Sequence, residues 1–232
     1  MKKNDFIFLG FFILLFAPFF LFESLYQFYN EFNKNHGFIT AFIKFAILAT
    51  MGESLGLRIR EGVYNKTGFG LMPRAIVWGF LGLTIKAAFI IFSSGGVDLL
   101  KYLGMENAAD ILKADFSMFK LLVAFTISAT MNLIYAPIMM TLHKITDTHI
   151  VDNGGNLLSL TKKIKFAEIF SKINWNVQWN FVYKKTIPFF WIPAHTITFL
   201  LPQEFQVLFA ALLGIALGTI LALAGLKKEK IK

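Results

Sequence analysis

The chain has 232 residues, of which 56% are hydrophobic and 16% are charged, and its mean hydropathy is +0.60. Soluble domains carry about 25% charged residues, so these charges are too few to cover a globular surface, and an ordinary soluble protein is excluded. There is no cysteine, which excludes disulfides, thiolate metal sites and cysteine nucleophiles. The net charge of +9 does not indicate nucleic-acid binding, because the lysines lie between and after the apolar runs, where they set orientation in a membrane.

Six apolar runs follow one another along the chain. A membrane-spanning helix needs about 20 mostly apolar residues; runs one, three, four and six approach or exceed that length, whereas runs two and five are weaker. We therefore predict an all-α, polytopic membrane helix bundle with six transmembrane helices. The runs are Phe6–Phe22, Phe38–Leu57, Leu71–Phe92, Ser117–Leu142, Ile187–Leu201 and Phe205–Gly225.

Run one follows Met1-Lys2-Lys3, which is the charge-then-apolar layout of a signal peptide. No small-residue cleavage site follows it, so residues 1–24 are predicted to be an uncleaved N-terminal anchor helix. Removal of this run would instead leave five spans and place the new N-terminus outside. The aromatic and mixed-polar segment Leu25–Asn35 is typical of a helix at the membrane interface.

Loop charges predict the orientation of the six spans. The basic segments alternate with segments that are acidic or nearly neutral, so that all basic segments fall on one side. Six spans with both termini cytoplasmic therefore satisfy the positive-inside rule at every loop. The basic residues on that side are Lys2, Lys3, Arg58, Arg60, Lys66, Lys144, Lys162, Lys163, Lys165, Lys172, Lys184, Lys185, Lys227, Lys228, Lys230 and Lys232.

The long cytoplasmic segment His143–Lys185 begins with a turn at residues 152–156. Residues Leu157–Ile173 then alternate apolar and basic side chains at helical spacing, which predicts an amphipathic cytoplasmic helix attracted to anionic lipid. The sequence Ser93-Ser94-Gly95-Gly96 predicts a helix stop after run three. The whole chain, 1–232, is predicted to be a single membrane domain that ends in a basic tail at residues 226–232.

No catalytic signature is present, and the chain is predicted not to be an enzyme. His143 and His149 are six positions apart, which is not a metal-ligand spacing, and they are interpreted as polar loop residues. Gly68-Phe69-Gly70 lacks the rest of a nucleotide-binding fingerprint. No cofactor and no metal are therefore predicted.

Ionisable groups inside spans are costly and are candidates for function. Glu53 and Arg74 lie at similar depth, near the cytoplasmic ends of runs two and three, and have opposite charges. They are predicted to form a pair; the alternative is that lipid headgroups solvate each of them separately.

A second set of polar groups, Lys44, Lys86, Lys120 and His195, lies deeper or in the outer half of the spans. If these residues faced a common interior, they would form a cationic path that favours anions. The alternative is snorkelling, in which lysine stems run along apolar surface to the headgroups; Lys86 is the hardest of the three lysines to explain in that way.

Run five contains two prolines and is followed by a third, and run four contains one proline. Pro188, Pro193 and Pro202 suggest that run five begins at Pro188, kinks at Pro193 and ends in a hairpin at Pro202. The alternative is that run five is buried in the bundle or lines a pore, where freed carbonyls are tolerated. Pro137 is a further kink candidate. In run six, Gly214 and Gly218 form a small-xxx-small face for close helix packing.

The order of these features resembles the Mpv17/PMP22 family of integral membrane proteins, over residues 25–225. The resemblance starts in the aromatic entry at Tyr26–Tyr29 and ends in a closing segment with Trp191-Ile192-Pro193 and Pro202. Lys86 stands where the family has histidine, and Gln206 where it has arginine. The other matching positions are Asn35–Thr40, Gly52-Glu53, Gly79, Gly82, Phe89, Asn132, Pro137, Phe199 and Phe205.

The resemblance implies a channel-like pore for small solutes or anions. The alternatives are a structural or assembly protein without transport activity and an intramembrane enzyme. The candidate polar residues are Glu53, Arg74, Lys86, Asn132 and His195. The partners expected are the lipid bilayer and a small solute or anion, with oligomer formation left open. The Lys/Asn/Phe-rich composition is typical of bacteria, so we expect the bacterial inner membrane.

Overall fold

The computed structural model describes residues 2–229, with side-chain surroundings given for residues 2–220, and every regular element in that part of the chain is a helix. Five helices, which correspond to runs one, two, three, four and six, are long and apolar enough to cross a membrane. The fold is thus that of a multi-pass helical membrane protein. The helices are α1 (Lys3–Leu21), α2 (Glu23–Asn35), α3 (Gly37–Glu61), α4 (Leu71–Tyr102), α5 (Ala108–Lys113), α6 (Met118–Asp152), a 3₁₀-helix (Leu157–Thr161), α7 (Phe166–Lys172), α8 (Trp175–Val177), a π-helix (Gln178–Trp191), α9 (Ile192–Leu200) and α10 (Gln203–Glu229).

The long helices form a ring. Helix α3 packs between α4 and α10, α4 packs on α6, α6 on α9, and α9 on α10. The core at their centre is apolar and includes the buried side chains of Phe45, Leu48, Ile85 and Ile127. Helix α1 stands outside this core, because none of its residues is buried.

Loops 62–70 and 153–165 meet at one end of the ring, which we call the basic end. The contact is close enough that a Cβ atom at Gly155 would lie 2.5 Å from the carbonyl oxygen of Gly68. Gly155 and Gly68 also have positive φ angles of 66° and 82°. Glycine is therefore favoured here for two reasons, the close backbone approach and the left-handed backbone conformation. The turn predicted at residues 152–156 is confirmed here.

A bidentate ion pair fastens α1 to the basic end of the ring. The Nε and Nη2 atoms of Arg58 donate to the two carboxylate oxygens of Asp5 at 2.7 and 2.9 Å. Tyr64 donates to the same carboxylate at 3.0 Å and stacks on Phe8 with ring centroids 4.8 Å apart. Burial, and then the Asp5 carboxylate, raise the pKa of Tyr64. We call this contact the α1 latch.

The predicted helix stop at Ser93–Gly96 is wrong, because α4 continues to Tyr102. A glycine usually weakens a helix, but Gly96 faces α6, where a Cβ atom would lie 2.8 Å from Ile127 Cγ1 and 3.1 Å from Ile127 Cα. The glycine thus permits close packing of α4 on α6 rather than ending the helix.

This packing predicts opposite effects at two adjacent glycines. Gly96→Ala is expected to lower the free energy of unfolding by about 1–3 kcal/mol, because the new methyl group overpacks the contact with α6. Gly95→Ala is the matched control, since nothing lies within 4 Å of its Cβ position, and it should raise stability by about 0.5–1 kcal/mol through helix propensity. Thermal unfolding of both variants in detergent would check this; equal effects would contradict the packing argument.

Run five does not begin at Pro188. The helix starts after Asn174, whose side chain accepts a hydrogen bond from the Val177 amide at 3.1 Å, and continues as the π-helix and then α9. Pro188 lies inside the π-helix, and Pro193 lies in the first turn of α9. Ile187 and Phe199 are 1% and 3% exposed, so one side of this segment is buried in the bundle, as the alternative interpretation proposed.

The predicted amphipathic helix at Leu157–Ile173 is wrong as a single element. It is divided into the 3₁₀-helix and α7, and Lys162 between them has extended backbone angles of φ −83° and ψ 145°. Three lysines at positions 162, 163 and 165 would repel one another on one helical turn, which explains the break. The predicted basic tail at residues 226–232 lies outside the residues whose side chains are described.

Candidate functional site

A cavity of about 870 Å³ lies inside the helix ring. It extends from the basic end, where Arg60 and Thr67 line it, to Phe89 and His195 within the bundle. Its walls come from α3, α4, α6, the π-helix, α9 and α10, so the ring that buries the core also forms the sides of this space. The space is open at the basic end, where Arg60 and Thr67 are exposed. The volume falls in the range of about 300–1,000 Å³ typical of ligand pockets.

A charged cluster lines the cavity near the basic end. Arg74 on α4 pairs with Glu53 on α3, and its Nη1 atom also lies 2.5 Å from the Oδ1 atom of Asp147 on α6. The Nε2 atom of His143, on α6, lies 2.9 Å from Glu53 Oε1 and 3.5 Å from Asp147 Oδ1. Trp78 donates its indole N–H to Glu53 at 2.7 Å. We call these five residues the mouth cluster; the predicted pair of Glu53 and Arg74 is present within it.

The mouth cluster contains groups of both charges. Two carboxylates face the guanidinium of Arg74 and the imidazole of His143, and Arg74 is additionally fixed by donating from Nε to the carbonyl of Phe69 at 2.7 Å. Glu53, His143 and Asp147 have ligand atoms within 4.8 Å of one another, which is a spacing suited to a metal ion. Arg74 bridges the two carboxylates, however, and its positive charge disfavours a cation there. The cluster is therefore best described as an ion-pair network that joins three helices.

A second polar group lies at the deep end of the cavity. The side chain of His195 on α9 is 8% exposed, and its Nδ1 atom lies 3.1 Å from Asn132 Oδ1 on α6. Asn132 donates to the carbonyl of Ser128 at 2.8 Å, and Ser128 donates to the carbonyl of Ile192 at 2.7 Å. These bonds tie α6 to α9 in an otherwise apolar region.

Aromatic side chains surround this deep end. Phe89 meets His195 edge to face at 5.7 Å and packs on Phe199 at 5.0 Å, while Trp191 lies over His195 at 5.2 Å. Phe89 and Phe199 are each 3% exposed. Phe89 lines the deep end of the cavity, and Phe199 packs against Phe89 without lining the cavity itself.

The three lysines of the predicted cationic path do not line the cavity. Lys44 donates to Asn33 Oδ1 at 2.6 Å and lies over the ring of Tyr29 at 5.1 Å. Lys120 donates to the carbonyl of Ala114 at 2.6 Å. The stem of Lys86 passes close to Gly37 at the start of α3. Lys44 is 8% exposed and is held within the bundle, so snorkelling does not describe it. The structure does not bring the three lysines together with His195.

Of the predicted polar residues, the structure brings Glu53, Arg74, Asn132 and His195 to one cavity and leaves Lys86 outside it. The sequence interpretation missed His143 and placed it in a loop, because run four was ended at Leu142. His149 is also helical and buried, with Nε2 donating to the carbonyl of Ser159 at 2.8 Å.

One sequence signal could have found the missed residues of the mouth cluster. His143 and Asp147 are four positions apart, which places them on one face of a helix, and both would follow from extending run four by three turns. Prediction of the whole mouth cluster from the sequence therefore required the correct end of α6 and did not require a sequence motif.

Comparisons with protein-family models, with curated proteins and with solved structures found no match for the chain. A proposal for the function must therefore be based on the cavity and on the polar groups that line it.

Proposed function

We propose that the chain is a channel-like protein of the bacterial inner membrane that passes small solutes through the cavity of its helix ring. The observation that carries this proposal is the cavity itself, which has the ion-paired mouth cluster at the basic end and a hydrogen-bonding group at His195. The resemblance to the Mpv17/PMP22 family supports the same function. The proposal includes six spans with both termini cytoplasmic, in which the π-helix and α9 form the fifth span.

The charged groups that line the cavity are of both signs, so we infer passage of small solutes without selection for one charge. Lys44, Lys86 and Lys120 do not line the cavity; besides the mouth cluster, the charged residues that line it are Arg60, Glu61, Lys66 and Lys144. Passage then requires movement of Phe89, which lines the deep end.

The role of Phe89 as a barrier is testable by solute flux. Phe89→Ala in protein reconstituted into liposomes is expected to increase the efflux of uncharged solutes severalfold, because it removes the ring that separates the cavity from the far side. Swelling rates in glycerol, sorbitol and sucrose would measure both the flux and the size limit.

Phe80→Ala is the matched control for this experiment. Phe80 lies on the same helix but is 60% exposed, so its removal leaves the cavity unchanged and flux should stay at the wild-type rate. Flux equal to that of empty liposomes for the wild type and for a folded Phe89→Ala variant would contradict the proposal.

Helix α1 gives one observation in favour of an assembly role instead. Leu15 and Phe16 are partly packed against the core, but no residue of α1 is fully buried. Its exposed apolar side chains, such as Ile13 and Phe20, could therefore contact another membrane helix. An assembly protein would bind another subunit or partner through α1 and would show no solute flux. The liposome flux measurement therefore distinguishes the assembly role from the channel-like function.

A further inference from the structure

The deep end of the cavity contains His195, and the hydrogen bonds around it determine which of its ring nitrogens carries the proton. Asn132 Nδ2 donates to the backbone carbonyl of Ser128, and a carbonyl can only accept. The orientation of the amide is thereby fixed, and its Oδ1 atom faces His195. His195 Nδ1 must then carry the proton that it donates to Asn132, which leaves Nε2 as a lone-pair acceptor in the neutral ring.

The neutral ring is consistent with its surroundings. His195 is in contact with the rings of Phe89 and Trp191, and its one hydrogen bond within the described residues is to an uncharged amide. An unpaired charge in such apolar surroundings is strongly disfavoured.

A hydrogen-bond donor without a partner lies beside this acceptor. The indole N–H of Trp191 is buried and has no hydrogen-bond partner among the described residues, although buried polar groups are almost always paired. The Trp191 ring lies over the His195 ring with an angle of 30° between their planes, and both rings line the cavity. The indole N–H itself is covered, so the deep end of the cavity offers the Trp191 ring as an aromatic wall beside the His195 acceptor.

The walls that lead to this point are apolar. Phe45, Ile85, Met131, Met140 and Phe181 line the cavity between the mouth cluster and His195. Methionine and aromatic side chains adapt to apolar ligands of varied shape. A ligand suited to this end of the cavity therefore has an apolar body and a polar group that donates one hydrogen bond to His195.

We propose that the deep end of the cavity binds the hydroxyl group of an uncharged, largely apolar alcohol, which donates to His195 Nε2 while its apolar body contacts the Trp191 ring. This inference rests on the proposed function in that both use the same cavity, and it concerns a ligand held at the deep end rather than the polar solutes of the flux measurement. Binding is measured without transport, so the two proposals can fail separately.

The test uses bromine quenching of tryptophan fluorescence in the full-length chain. Trp78, Trp175 and Trp179 are replaced by phenylalanine, so that Trp191 is the remaining tryptophan of the four. The quenchers are 2-bromodecanol and its methyl ether in lipid nanodiscs; the ether has the same apolar body but no hydroxyl donor. We expect the alcohol to quench Trp191 at a concentration about tenfold lower than the ether does.

His195→Phe in the same background is the matched variant, because it keeps a ring against Trp191 and removes the acceptor. It should weaken quenching by the alcohol to the level of the ether. Thermal stabilisation of the unmodified protein by the two compounds provides a second measurement that does not depend on the tryptophan replacements.

Equal quenching and equal thermal stabilisation by alcohol and ether would overturn the inference, and so would an alcohol preference that persists in His195→Phe. Preferential binding of the alcohol without solute flux would support the site and reject the channel-like function. Flux without any alcohol preference would leave the channel-like function and reject the site.

Discussion

Arg74→Met is expected to lower the free energy of unfolding by about 3 kcal/mol, the lower part of the range for breaking a buried ion pair. The substitution leaves Glu53 and Asp147 facing each other without the guanidinium between them. The lower part of the range applies because the two carboxylate side chains remain 18% and 21% exposed. Thermal or denaturant unfolding in detergent would measure the loss.

Two further variants make this prediction specific. Lys66→Met is the matched control, because its partner Glu61 is 43% exposed and a surface pair contributes at most about 1 kcal/mol. Asp147→Asn added to Arg74→Met should recover part of the stability, since it removes one of the two unpaired charges. A double variant less stable than Arg74→Met alone would show that the mouth cluster is not held by charge.

Exchange of the two charges at positions 53 and 74 is a poor test of the pair. A glutamate at position 74 would face Asp147, which Arg74 contacts at 2.5 Å, and an arginine at position 53 would face His143. The exchanged pair would therefore be unstable even though the original pair is stabilising. This expected instability arises from Asp147 and His143, and it would not be expected if Glu53 and Arg74 formed an isolated pair.

Gly52→Ala is expected to have the second large effect, a loss of about 1–3 kcal/mol from overpacking. A Cβ atom at this position would lie 2.9 Å from Ile215 Cα and 3.1 Å from the carbonyl carbon of Gly214. These are backbone atoms of α10, so neither can rotate away, and α3 and α10 would have to separate. Thermal unfolding in detergent would measure the loss.

Gly214→Ala, on the other side of the same interface, is the control. Its Cβ atom would lie 3.9 Å from Ala49, an ordinary contact, so this variant should be as stable as the wild type or more stable by about 0.5–1 kcal/mol. Destabilisation by Gly214→Ala equal to that by Gly52→Ala would contradict this arrangement of the interface.

The sequence predicted the helical class, the apolar runs and the pairing of Glu53 with Arg74, because each depends on composition, on hydropathy or on depth along a helix. It did not predict where α4 and α6 end. In the linear sequence, glycines at positions 95 and 96 resemble the end of a helix. The position of Ile127 on α6 shows instead that Gly96 allows α4 to pack closely on α6.

The mouth cluster and the deep end were predictable in part. Arg74 and Glu53 were found from their depth, but Asp147 and His143 required the true length of α6. The fate of Lys86 could not be derived from depth, because a lysine within a span faces either the interior or the membrane surface according to the rotation of its helix. That rotation is set by packing with neighbouring helices rather than by the local sequence.

The glycine face of α3 also constrains the order of biosynthesis. Gly52 contacts the backbone of Gly214 and Gly218 on α10, and these residues are made more than half a chain later. During translation α3 must therefore stay in the bilayer with this face covered by lipid until α10 is inserted. Helix α1 depends less on the late helices: its latch needs only α3, although Leu15 and Phe16 can pack against the core only once the ring has formed.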